Sequence, residues 1–229
     1  MRTDGREAGH RVRYYLYLSD AKLDMLFEQI PQKLLPRLVT EAKVDLKVIS
    51  FSVQRAQSEM SRYDRLEVVE AYLEREYDVG WMTEPAFWFR GESGLRVSGA
   101  DGAGGPVLLT GTDSDPVVVL IGSAHHVMGG EQPSPELGRV GHSWLPSLHR
   151  LLQNARPGPR SMDTGSLDDR GTLRDSLAFA QQATGPAMWC EFLARQLMRG
   201  TVTDEEGRNR EVVIGTPLYV AMCDEIQGP

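Results

Sequence analysis

No apolar run in this 229-residue sequence approaches the roughly 20 residues that a membrane span needs. Cysteine is nearly absent. Cys190 and Cys223 are the whole complement, so a disulfide framework is excluded and a reducing compartment is expected. The two thiols do not form a C-x-x-C pair, and the five histidines include no H-x-x-x-H pair; His142 and His149 stand seven apart. Zinc-ligand spacing is therefore missing, and no metal is expected. The phosphate-binding patterns G-x-x-x-x-G-K-[ST] and G-x-G-x-x-G are absent as well, which disfavours a nucleotide motor or a dinucleotide enzyme, and no cofactor is expected. Lysine is scarce: Lys22, Lys33, Lys43 and Lys47 are all there is, and arginine supplies every other positive charge. That bias suggests a GC-rich genome. The lysine cluster reads as a solvated face on the first helix–strand unit.

Charge of positive sign is also short. The formal net charge is −7, with residues 61–136 alone carrying five basic and thirteen acidic side chains. There is no basic stripe to follow a phosphate backbone, so neither nucleic acid nor an anionic membrane is an expected partner. What remains is an ordinary water-soluble composition, 41% hydrophobic and 25% charged, with a mean hydropathy of −0.34. Residues 1–11 are polar, mix acids with bases, and lack the apolar stretch of a secretory signal. They read as a disordered tail, with a cytoplasmic location expected.

The pattern beyond residue 11 is legible in parts. Residues 12–19 (VRYYLYLS) read as a strand, with Ser19 or Asp20 able to cap the helix that follows. Leu23, Leu26, Phe27, Ile30 and Leu34 make a helical stripe that Pro31 and Pro36 should divide in two. Residues 44–53 alternate like a half-buried strand. A helix from Ser61 or Arg62 to Tyr77 should bury Leu66, Val69, Leu73 and Tyr77, with Gly80 ending it. Three strands, 86–90, 106–110 and 117–121, are separated by turn-rich segments such as GESG and suggest an antiparallel meander. Further helices are expected over 144–152, over 172–183, and from Pro186 with Trp189, Phe192, Leu193 and Leu197 inward. Two last strands, 211–214 and 218–222, flank Gly215-Thr216-Pro217. Helices and strands do not alternate strictly, so the expected class is α+β: a mixed or mainly antiparallel sheet with helices packed on one face. The first and last strands share a Tyr-rich apolar character and are expected to lie together. That gives a single domain over 12–229, with a flexible loop at about 156–166.

Four blocks, YYLYLSDAKLDML (14–26), LIGSAHHVMG (120–129), EFLARQLMRG (191–200) and IGTPLYVAM (214–222), resemble an uncharacterised family of bacterial proteins from GC-rich genomes. The resemblance implies one domain from about residue 12 onward. It implies no activity and no catalytic residues.

Chemistry concentrates at two strand ends. The run 117–121 (VVVLI) leads into Gly122-Ser123, then His125-His126, then Gly129-Gly130. If the strand persists, His125 shares a face with Ser123 while His126 points the other way. If the chain turns helical at Ser123, its amides could meet an anion. The other end is Ser19-Asp20-Ala21-Lys22-Leu23-Asp24, where Asp20 and Asp24 fall on one helix face. Trp88 could supply an apolar wall. A weaker pattern, Asp24 with Glu41-Ala42-Lys43, loosely matches a nuclease motif but falls at a helix end in an acidic protein. The leading expectation is a small-ligand or protein-partner binding domain using Gly122, Ser123, His125, His126, Asp20, Asp24 and Trp88. One alternative is a hydrolase using Ser123 with His125 or His126. Another is an oligomeric interaction module built on aromatics near 81–89 or on the helix expected at Trp189.

Overall fold

The computed structural model describes residues 13–44, 60–99, 105–129, 148, 152, 169–204 and 206–223. The tail 1–11, the loop at 156–166 and all but the first residue of the strand expected over 44–53 lie outside them. So does most of the helix expected over 144–152, although Leu148 and Leu152 are helical and buried.

The elements run β1 (Tyr14–Leu18), α1 (Asp20–Glu28), α2 (Leu35–Glu41), α3 (Arg62–Glu76), β2 (Val79–Trp81), β3 (Trp88–Gly99), β4 (Pro106–Gly111) and β5 (Val117–Ser123). A 3₁₀ turn (Ala124–His126), α4 (Asp169–Gln182), β6 (Met188–Thr203) and β7 (Asn209–Met222) complete the described chain. The break between α1 and α2 falls where Pro31 predicts it, and Pro36 sits in the first turn of α2, where its missing amide costs nothing. A capping box holds the start of α3. The Ser61 hydroxyl accepts from the Asp64 amide, and the Asp64 carboxylate accepts from the Ser61 amide.

The seven strands form one mainly antiparallel sheet, and the fold class is α+β as expected. β3–β4 and β4–β5 are antiparallel, β5–β7 is parallel, and β7–β6 and β6–β3 are antiparallel. These five ladders make a closed circuit, so the sheet rolls up and buries its concave face against itself. Phe89, Leu95, Leu109, Val118, Leu120, Phe192 and Val213 belong to that inner core. Alternate residues point outward and are covered by helices. α1, α2 and α3 pack on Trp88, Leu193, Leu218 and Tyr219, while α4 packs on Leu108, Val119, Ile121 and Ile214. Among the described residues, α1 to α4 thus lie on one face of the sheet, its convex one. β5 is apolar on both sides because it is buried on both sides.

Five expectations are corrected. The GESG segment is no turn: Gly91 to Gly94 lie inside β3, and a Cβ on Gly91 would stand 2.5 Å from the Phe192 ring. The glycine admits an aromatic neighbour rather than a bend. The helix expected from Pro186 is instead β6, a 16-residue strand. Its apolar residues fit a helical stripe by coincidence. Cys190, Phe192 and Ala194 recur at period two, and hydrogen bonds to β3 and β7 on both edges override local propensity. The two last strands are one. β7 continues through Gly215-Thr216-Pro217, which pair with Gln196, Arg195 and Ala194 of β6, and the ladder bulges just beyond, leaving Leu218 without an opposite residue. In α3, Leu66, Val69 and Leu73 are buried as expected, but Tyr77 caps the helix and is exposed, and Gly80 belongs to β2.

β7 organises the rest. One of its edges is occupied along its whole length by β6. The other is shared: β5 pairs with Val212–Gly215 and β1 with Tyr219–Met222. β5 runs parallel to β7 and β1 antiparallel, so the carboxyl ends of β1 and β5 approach each other along this edge and meet at residues 216–218. The expected neighbourhood of the first and last strands is observed. No described helix is long and apolar enough to cross a membrane.

Candidate functional site

The meeting point of β1 and β5 is built from both candidate strand ends. At Ser123 the extended chain stops. The Ser123 hydroxyl accepts a hydrogen bond from the His125 amide at 3.3 Å, and a single 3₁₀ turn follows. The chain then runs back beside β1. The Met128 amide donates to the Leu16 carbonyl at 2.9 Å, and Val127 bridges to Tyr17. The two imidazoles therefore do not point apart, as strand alternation would have required. Their ring centroids are 5.2 Å apart in an edge-to-face arrangement. His126 is buried with its ring edge-on to Tyr17 at 5.8 Å, and His125 is exposed above it.

Gly122 faces the inner core. A Cβ there would lie 2.6–2.7 Å from Cε2, Cζ and Oη of Tyr17. The glycine makes room for this ring, and the Tyr17 hydroxyl accepts from the Ser123 amide at 3.4 Å. Burial raises the Tyr17 pKa well above its ordinary value, so the phenol stays neutral.

Asp20 and Asp24 begin α1, directly after β1. Each faces an arginine of α3: Asp20 lies 3.8 Å from Arg62, and Asp24 pairs with Arg65. The Arg62 guanidinium also reaches the Met128 sulfur at 4.0 Å, so it spans the start of α1 and the segment after the histidines. Arg62 thus links Asp20 to Met128, two residues beyond His126. Asp24 stands one helical turn from Asp20. Trp88 is buried beneath the helical layer, among the residues that pack α1 to α3 on the sheet, and not at the turn.

The sequence reading missed Lys22. Its amine leaves the solvated face expected of the lysine cluster and turns into the junction, donating to Thr216 Oγ1 at 2.7 Å and to the Pro217 carbonyl at 2.6 Å. Burial lowers its pKa to about 7. Helical spacing carried a signal, since Lys22 stands three residues after Ser19 and four before Leu26, both buried. Lys33 and Lys43 are exposed as expected.

The family described as "Family of unknown function (DUF7019)" matches residues 13–224. The chain belongs to this family. No curated protein matches it, and no solved structure does. The match takes in all four sequence blocks that suggested an uncharacterised family, both strand ends of the candidate site, and the whole of β7.

A second polar cluster of this family member lies between α3 and the sheet. Glu70, almost fully buried, sits 2.8 Å from Arg13 and 3.5 Å from Arg90. Arg13 also contacts Glu191 at 2.5 Å and lies over the Tyr219 ring, and Arg90 pairs with Glu74 at 2.7 Å. Charges alternate in sign through the network, as buried charges require. Its role is to clamp α3 onto β1, β3 and β6. Among the described residues no group of three or more His, Cys, Asp or Glu side chains could hold a metal ion.

Proposed function

We propose that the protein is a small-ligand binding domain whose site lies where β5 ends against the start of α1. The observation that supports this is the head-on approach of two strand ends on one edge of β7. Lys22 bonds β7 at this junction, and Arg62 links Asp20 to the segment after the histidines. The exposed His125 ring rests on His126, which Tyr17 braces from below. Such a stack fixes a recognition group before a ligand arrives and reduces the ordering cost of binding. The ligand is read as small and polar, held by His125 and Arg62, with Asp20 setting the charge balance. Gly122 and His126 support the site through packing, Asp24 holds Arg65, and Trp88 lies apart from the site in the core under α1 to α3.

A library screen by thermal shift, followed by NMR of the histidine ring protons, tests this. The expected result is a stabilising compound that shifts the His125 ring signals and loses at least tenfold in affinity in His125→Ala. The reading fails if the stabilising compounds bind His125→Ala and Arg62→Gln as tightly as the parent.

A second reading, an oligomeric interaction module, has one observation in its favour. Trp81 and Phe87 stay 48% and 55% exposed beside the short strand β2, while Trp88 and Phe89 are buried. Light scattering after sizing chromatography decides it. A dimer that returns to monomer in Trp81→Ala/Phe87→Ala supports the module, and a parent monomer at high protein concentration excludes it.

A further inference from the structure

A groove of about 360 Å³ opens at the amino-terminal end of β7, away from the junction at its middle, lined by Arg170, Arg174, Thr201, Val202, Thr203 and Asn209. Arg170 and Arg174 are one helical turn apart on α4, so both guanidiniums serve the same face. Both are exposed. Two arginines of this hairpin are neutralised, Arg199 by Glu211 and Arg208 by Asp204 and Glu206, while Arg195 lies over the Phe87 ring and Arg210 donates to the Thr112 carbonyl. Among the described residues neither Arg170 nor Arg174 meets a carboxylate. Two like charges stand side by side in a protein whose net charge is −7. The other polar lining groups are neutral hydrogen-bonding side chains. The Thr203 hydroxyl donates to Asn209 Oδ1 at 3.0 Å, which turns the Asn209 oxygen toward Thr203 and leaves its NH₂ as a donor.

We propose that this groove binds the phosphate group of a small phosphorylated molecule. Guanidiniums match phosphate oxygens with paired N–H donors, and hydroxyl and amide groups complete the shell without adding charge. The volume is larger than a bare phosphate fills and falls at the small end of ligand pockets, which leaves room for an organic portion. This site is independent of the junction between β1 and β5.

The test is calorimetric titration of the intact chain with inorganic phosphate, ribose 5-phosphate, AMP and adenosine, on the parent and on Arg170→Gln, Arg174→Gln, the double variant and His125→Ala. A phosphorylated probe is expected to bind the parent more tightly than inorganic phosphate does, with adenosine silent. Each single arginine variant should weaken binding about tenfold and the double about a hundredfold, as loss of charge-assisted hydrogen bonds implies. His125→Ala should bind like the parent. Because both arginines are exposed, the variants should unfold at the parent's urea midpoint, which separates lost binding from lost folding. The proposal is overturned if no phosphorylated probe binds the parent at millimolar concentration, or if the double variant binds as tightly. Binding of inorganic phosphate alone, with no gain from the organic portion, overturns the small-molecule assignment.

Discussion

Replacing Gly122 with alanine tests whether this residue is kept for Tyr17 or for a ligand. The added Cβ would stand 2.6 Å from Cε2 and 2.7 Å from Cζ and Oη of a tyrosine that is fully buried. Ordinary contact needs about a further ångström, and the ring is hemmed in by the inner core of the rolled sheet. Overpacking of this kind costs about 1–3 kcal/mol. Displacing the ring also breaks the bond from the Ser123 amide to the Tyr17 hydroxyl, worth about 0.5–1.5 kcal/mol. Against this, alanine restricts the unfolded chain and returns about 0.4–1 kcal/mol. The net expectation is a loss of about 1.5–3 kcal/mol. Urea unfolding should show a lower midpoint at an unchanged slope, and the melting temperature should fall by about 4–10 °C for a chain of this size. In a Tyr17→Leu background the ring is gone. Gly122→Ala should then cost little, giving a coupling above about 1 kcal/mol in the double-mutant cycle. A loss under about 0.5 kcal/mol, or additive single effects, would refute the packing argument and return Gly122 to the list of ligand-facing positions.

Three further outcomes are expected. The folded Lys22 amine sheds its proton near pH 7 while the unfolded chain keeps it to about 10.4, so stability should rise between pH 7 and 9.5; Lys22→Met should flatten that rise in urea midpoints, and an unchanged slope would show that the amine is hydrated. Glu70→Ala leaves Arg13 with Glu191 and Arg90 with Glu74, and both guanidiniums are about a quarter exposed, so the loss should be about 1–2 kcal/mol, below the range for a broken, fully buried pair, and a loss above about 3 kcal/mol would show that Glu70 alone holds the cluster. Burial, with a smaller contribution from Cys223, pushes the Cys190 thiol up to about 12, so in a Cys223→Ser variant at pH 8 a thiol reagent should label Cys190 only at the rate of unfolding; immediate labelling would contradict that burial.

Local signals found what local physics determines. The proline break between α1 and α2, the apolar stripe of α3 and the doubly buried β5 each follow from residues within one element. The failures share a different cause. β6 carries a plausible helical stripe, and only its two partner strands make it extended. The glycines of GESG look like turn formers until Phe192 is seen packing over Gly91. Gly215-Thr216-Pro217 reads as a stop, and β7 passes through it because each of the three residues keeps a partner on β6, with the bulge falling at Leu218. In each case the deciding neighbour is distant in sequence. No window along the chain contains both the glycine and the ring that requires it.

The candidate site follows the same division. That residues 19–24 and 122–126 are special could be read from small and polar residues at strand ends. That they form one place could not, because their contact depends on β7. A strand paired with β5 over its first half and with β1 over its second forces those two carboxyl ends together. Lys22 is half-buried at the same point because Thr216 and Pro217 lie in the gap between the two pairings, where β7 has no strand on that edge to satisfy its groups. The junction is thus a consequence of sharing one edge between two strands. Its polar groups collect there because no strand pairs with that edge over residues 216–218, and the Ser19 amide, bonded to the Leu218 carbonyl, and the Lys22 amine complete it.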